Sequence, residues 1–97
     1  MENEQPAVLV QLIVTKITQM IVDDEAAVCV DVDTMGTETV LRLHVAPNDV
    51  GMVIGKQGRT ARALRIIIGA IGVAHGLRYS LDIGSRSATD QRTSIRS

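Results

Sequence analysis

The chain is 97 residues long, 45% apolar and nearly neutral, with a formal charge of −1, which suits one domain with a modest core and argues against a second. Its single cysteine, Cys29, excludes an intramolecular disulfide and a multi-cysteine zinc site. The opening "MENEQP" lacks the basic flank of a signal peptide, and Gln11, Thr15 and Lys16 interrupt the apolar run behind it, so neither export nor a membrane span is expected and a reducing cytoplasm is the expected compartment.

From Pro6 to Val22 the length of "PAVLVQLIVTKITQMIV" outweighs its β-branched content and predicts a helix. Gln11, Thr15, Thr18 and Gln19 would form its wet stripe. Pro6 suits the first turn, where a missing N–H costs nothing, and Asp23, Asp24 and Glu25 break the run. "VCVDVD" (Val28 to Asp33) and "TVLRLHVA" (Thr39 to Ala46) alternate with the period of half-buried strands. The turn signal Met35-Gly36 between them makes an antiparallel hairpin.

Pro47 and Asp49 can start a short helix that breaks at Gly55. After Gly58, "RTARALRIIIGAIGVAHG" predicts a longer helix with Ala61, Leu64, Ile68, Ile71 and His75 on one face, Arg59, Arg62 and Arg65 spread over the other, and Gly76 as its stop. "LRYSLDI" (Leu77 to Ile83) is the third strand, reached by a helical crossover that permits parallel pairing. The residues from Gly84 on are almost without apolar content and are expected to be a flexible basic tail. The expected architecture is α+β, in the order α-β-β-α-α-β. A single domain over residues 6–83 would hold a three-stranded mixed sheet with its helices packed on one face.

Charge is spread unevenly along this order. Residues 1–49 hold nine acidic side chains against two basic ones, whereas residues 50–97 hold eight basic against two acidic. Lys56, Arg59, Arg62, Arg65 and Arg78 fall between Val50 and Leu81 with no acid among them, the pattern of one polyanion-facing side or, more plainly, of charges alternating over solvated faces.

Within that basic stretch lies "VGMVIGKQGRTARAL", Val50 to Leu64. A phosphate-binding P-loop needs four residues between its glycines and a hydroxyl after the lysine. Here only three residues separate Gly51 from Gly55, Gln57 follows Lys56, and no G-x-G-x-x-G occurs, so nucleotide hydrolysis and dinucleotide binding are not expected. What remains is Gly55-Lys56-Gln57-Gly58 between two helices. Small residues there let another backbone approach, and the following helix points its free N–H groups and positive dipole end at the visitor. The alternative is a plain helix-turn-helix whose glycines serve geometry only.

"VIGKQG" between two helices and after a hairpin resembles the signature of the KH domain, whose GXXG loop clamps the backbone of about four nucleotides. The resemblance runs from about Val8 to Ile83 and, with a helix and strand ahead of the core, is similar to the type II, prokaryotic arrangement. "GMVIGKQGRTARALR" and the small size are most similar to the KhpA family of bacterial RNA-binding proteins. That resemblance implies a non-catalytic binder of single-stranded RNA, an RNA chaperone or post-transcriptional regulator, needing no cofactor and in some bacteria paired with a larger KH protein of the Jag type. Gly55, Lys56, Gln57, Gly58, Arg59 and Arg62 would hold the RNA backbone. The chain has one aromatic residue, Tyr79, which argues against base stacking on aromatic platforms. The resemblance implies an aliphatic groove instead, for which Val50, Val53 and Ile54 with Leu43 are candidates, unless they are ordinary core.

His44 and His75 lack companions at metal-ligand spacing, no site suggests nucleophilic catalysis, and Cys29 reads as a small core residue. Asp31 and Asp33 share a strand face, where they discourage edge pairing. Ile66, Gly69, Ala70 and Val73 form an apolar stripe on the arginine side of the long helix. That stripe suggests a contact with a second copy or another KH protein, or packing against the tail or first helix. An adaptor built on this contact is the competing reading of the whole chain.

Overall fold

The computed structural model describes residues 6–85. Helix α1 (Pro6–Gln19) leads through a short 3₁₀ turn to strands β1 (Cys29–Met35) and β2 (Glu38–Val45). A second 3₁₀ turn, Pro47–Asp49, opens α2 (Val50–Ile54), which is followed by a third, Lys56–Gly58, then by α3 (Arg59–Ala74) and β3 (Arg78–Ser85). The sheet order is β1-β2-β3, antiparallel between β1 and β2 and parallel between β2 and β3. The mixed sheet, the hairpin and the parallel crossover therefore match the expectation.

Strand alternation decides what is inside. Thr39, Leu41, Leu43 and Val45 on β2 are buried, facing the helices together with Val30 on β1 and Tyr79 and Leu81 on β3. Val10 and Val14 of α1, Val53 of α2 and Leu64 and Ile68 of α3 close over them. Each fully buried aliphatic side chain contributes about 1.5–3 kcal/mol, so this layer supplies the main stabilising term. The intervening strand positions form the sheet's other face, where Arg42 meets Asp33 at 3.5 Å and His44 meets Asp31 at 3.3 Å.

Four expectations change. The first helix ends at Gln19 rather than Val22; Ile21 and Val22 both donate to Thr18 O as the chain turns off, and Val22 is still buried. The polar stripe of α1 is not its wet side. Thr18 is fully buried, while Gln11 Nε2 donates to Val30 O at 2.6 Å and Thr15 Oγ1 to Gln11 O at 2.7 Å. The exposed side carries Val8, Leu9 and Leu12 instead.

On α3 the buried face runs Ala61, Leu64, Ile68 and Gly72, and His75 is exposed at the helix end. Gly72 is required there because a Cβ would lie 2.9 Å from Leu77 O. The end is a Schellman motif: Gly76 N–H reaches Val73 O at 3.1 Å and Leu77 N–H reaches Gly72 O at 2.8 Å. Finally, Gly84 and Ser85 belong to β3, since their backbone continues the pairing with His44 and Val45. The rest of the expected tail, with Arg86, Arg92 and Arg96, lies outside the described residues.

Candidate nucleic-acid interface

The loop after α2 is shaped by two backbone conformations that ordinary residues avoid. Gly55 has φ 81° and ψ 168°, and Gly58 has φ 73° and ψ 16° in the left-handed region. A side chain at Gly55 would also run into the Thr60 side chain. Gln57 between them is left-handed too, at φ 57° and ψ 25°, where a non-glycine residue costs about 1–2 kcal/mol. Gly58 N–H closes the turn on Gly55 O at 3.0 Å. Gln57 and Lys56 are thereby carried, both exposed, at the tip.

Behind this turn α3 begins without a side-chain cap, its N-cap being Gly58. Arg59 N–H bonds back to Lys56 O, and the next N–H groups and the positive end of the helix dipole lie beside the loop without a side-chain cap. Arg59 Nη2 donates to Gln57 Oε1 at 3.1 Å, which holds the Gln57 amide in place. Lys56, Arg59, Arg62 and Arg65 are all exposed along the loop and the first part of α3. Asp31, Asp33, Glu38 and Asp82 occupy the sheet face turned away from the helices, also exposed. The separation of charge along the chain therefore becomes in part a separation between faces of the fold, since Arg42 and Arg78 stand on the same outer sheet face as these acids.

Asp49 fixes the base of α2. It is buried, and its carboxylate accepts the Asp23 N–H at 3.3 Å and the Asp24 N–H at 3.0 Å. The acidic turn after α1 is thus tied to the helix that presents the loop, a role not expected from the sequence.

Beside the loop lies a cleft of about 430 Å³ lined by Ile54, Gly58, Ala61, Arg62, Arg65 and Ile83. This differs from the expected groove in its strand. β2 is central, so Leu43 is covered on both flanks and has no exposed surface, and Val53 of α2 is equally buried. Both belong to the core behind the groove. Val50 is partly buried and packs against that core. Of the four expected groove residues, only Ile54 lines the cleft, and the strand residue that lines it is Ile83 on the edge strand β3. Its strand alternation was legible, but which strand would flank the loop depends on sheet order.

The structure brings Gly55 to Arg62 together and leaves Ile66, Ala70 and Val73 exposed further along α3, with Gly69 partly buried. Cys29 is half-buried on β1 rather than in the core. Burial raises the Tyr79 hydroxyl above its ordinary pKa of 10.0, and that hydroxyl has no hydrogen-bond partner among the described residues. No group of three or more His, Cys, Asp or Glu among the described residues could hold a metal ion, and none of their helices is long and apolar enough to cross a membrane.

A helix, hairpin, helix, two-residue glycine-flanked loop, helix and parallel strand define a KH domain in its type II arrangement. The profile of the family described as "KhpA/KhpB, KH domain" matches residues 11–83, and the chain belongs to that family. It is 41% identical over 71 residues to the RNA-binding protein KhpA of Halalkalibacterium halodurans, covering 73% of this chain and 93% of that one. It is 57% identical over 42 residues to the RNA-binding protein KhpA of Streptomyces coelicolor, a match spanning 43% of this chain and about half, 52%, of that relative. Among solved structures it is similar in fold to Aquifex aeolicus Era, as the Y63A variant bound to GDP.AlF4-, with a TM-score of 0.60 and 15% identity. That similarity covers 82% of this chain and 31% of Era.

Proposed function

We propose that this protein binds single-stranded RNA without catalysis, as an RNA chaperone or post-transcriptional regulator in the cytoplasm. The observation that carries the reading is the Gly55–Gly58 turn, with its left-handed glycines, set at the uncapped N-terminus of α3. A phosphate approaching that turn meets backbone N–H groups, the Gln57 amide and the Lys56 ammonium. Arg59 and Arg62 add charge beyond it. The names of the relatives agree with RNA as the ligand. Aliphatic walls, Ile54 and Ile83, would receive the bases.

A second reading is favoured by one observation: Ile66 and Val73 of α3 are 65% and 78% exposed, with Ile67 beside them at 44%. A stripe of this kind suits a second copy of the chain or another KH protein, such as one of the Jag type, and would make the protein an adaptor. Purification from cells before and after nuclease treatment separates the two. An RNA binder brings down RNA that nuclease removes, whereas an adaptor retains a protein partner and carries little RNA. For self-association, sedimentation is expected to show a dimer that Ile66→Glu splits; a monomer in both would remove it.

A further inference from the structure

The cleft beside the loop contains two arginines that are held differently. Arg65 Nε donates to the backbone O of Leu81 at 3.2 Å, clipping α3 to the edge strand β3. Arg62, one turn earlier and lining the same cleft, has no hydrogen-bond partner among the described residues. A free arginine serves as a mobile charge for phosphates. One whose Nε is already engaged has its plane set, and its two terminal nitrogens stay available as a rigid fork of donors.

The surroundings of that fork restrict what it can meet. Apart from the arginines, the cleft walls are Ile54, Ala61 and Ile83, with Gly58 at the loop end. These aliphatic side chains can pack on a base but make no hydrogen bond to its edge. Among the described residues no acidic or amide side chain lines the cleft, so none of them offers a side-chain acceptor there to a base amino group. Arg65 also stands seven residues beyond Gly58, about 10 Å along the helix at 1.5 Å per residue. The glycine turn and the fork would therefore address different parts of one strand.

A donor-only fork favours a base edge with two adjacent acceptors. Cytosine offers O2 and N3, and guanine offers O6 and N7, the pair that arginine grips in nucleic acids generally. Adenine places an amino donor beside each of its ring acceptors on those edges, and uracil separates its two carbonyls by an N–H. We propose that Arg65 is a specificity-determining residue that selects cytosine or guanine over adenine and uracil. This rests on the RNA-binding reading and adds a base preference to it.

Anisotropy of labelled eight-residue oligonucleotides tests this, using oligouridine and versions with adenine, cytosine or guanine at alternate positions. Wild type is expected to bind the cytosine and guanine strands roughly tenfold tighter than the other two, within the range of one bidentate contact. Arg65→Lys keeps the charge but not the fork, and is expected to bring all four strands to the uridine level while binding persists. Replacing guanine by 7-deazaguanine, which removes N7 without altering the protein, is expected to abolish that strand's advantage. Equal wild-type affinity for all four, or an equal loss on all four in Arg65→Lys, would overturn the proposal alone. Failure of every strand to bind would overturn the RNA reading with it.

Discussion

Asp49 and Asp24 are 25 residues apart in sequence, yet the buried carboxylate of one accepts the backbone N–H of the other at 3.0 Å. The bond, with its neighbour to Asp23, sets where α2 begins and so where the glycine turn is presented. Asp49→Ala leaves two N–H groups without their acceptor. It is expected to cost about 2 kcal/mol and, for a domain of this size, to lower Tm by about 10 °C. Asp49→Asn keeps one acceptor oxygen and should lose less. Thermal melts of the three proteins check the order.

The glycines around the loop are not equivalent, and their alanine variants should separate. A Cβ on Gly51 meets nothing, and its helical backbone suits alanine; Gly51→Ala is expected to stabilise by about 0.5–1 kcal/mol. Gly51 is therefore not there for close packing. Gly58→Ala carries only the left-handed penalty of about 1–2 kcal/mol, since its surroundings are open. Gly55→Ala adds a collision with Thr60 to its positive φ and should be the most destabilising of the three. Urea denaturation gives the ranking.

Tyr79 provides a pH dependence with a defined sign. Burial raises its folded pKa above 10.0, so the folded state retains a proton that the unfolded chain gives up. Its contribution is fully present below about pH 10 and is lost as pH rises through the folded value. Tyr79→Phe should remove this alkaline loss. At neutral pH it should leave stability unchanged or raise it by up to about 1 kcal/mol, because the hydroxyl has no partner among the described residues. Denaturation midpoints between pH 8 and about pH 11 test both parts.

Much of this fold was legible because its signals are local. The alternation of "VCVDVD" and "TVLRLHVA" marks the hairpin, and the spacing of Gly55 and Gly58 marks the loop. The misreadings came from information the local pattern does not contain. Thr18 is polar and yet buried, because α1 turns that side to the sheet. Leu43 is aliphatic but belongs to the core because β3, not β2, flanks the cleft, and Val53 belongs to it because α2 turns that residue inward. Ile83 and Arg65 gained their place from the same parallel crossover, which joins residues far apart in the chain.

The central claim is that the Gly55–Gly58 turn holds RNA by its backbone. The most direct measurement is a salt titration of single-stranded RNA affinity for wild type and for a Lys56→Asp, Gln57→Asp double variant whose melting temperature is unchanged. Wild-type log K should fall with log salt by about 0.7 per phosphate neutralised. The variant should lose about two orders of magnitude in affinity and show a shallower slope. A folded variant with wild-type affinity and slope would contradict the account.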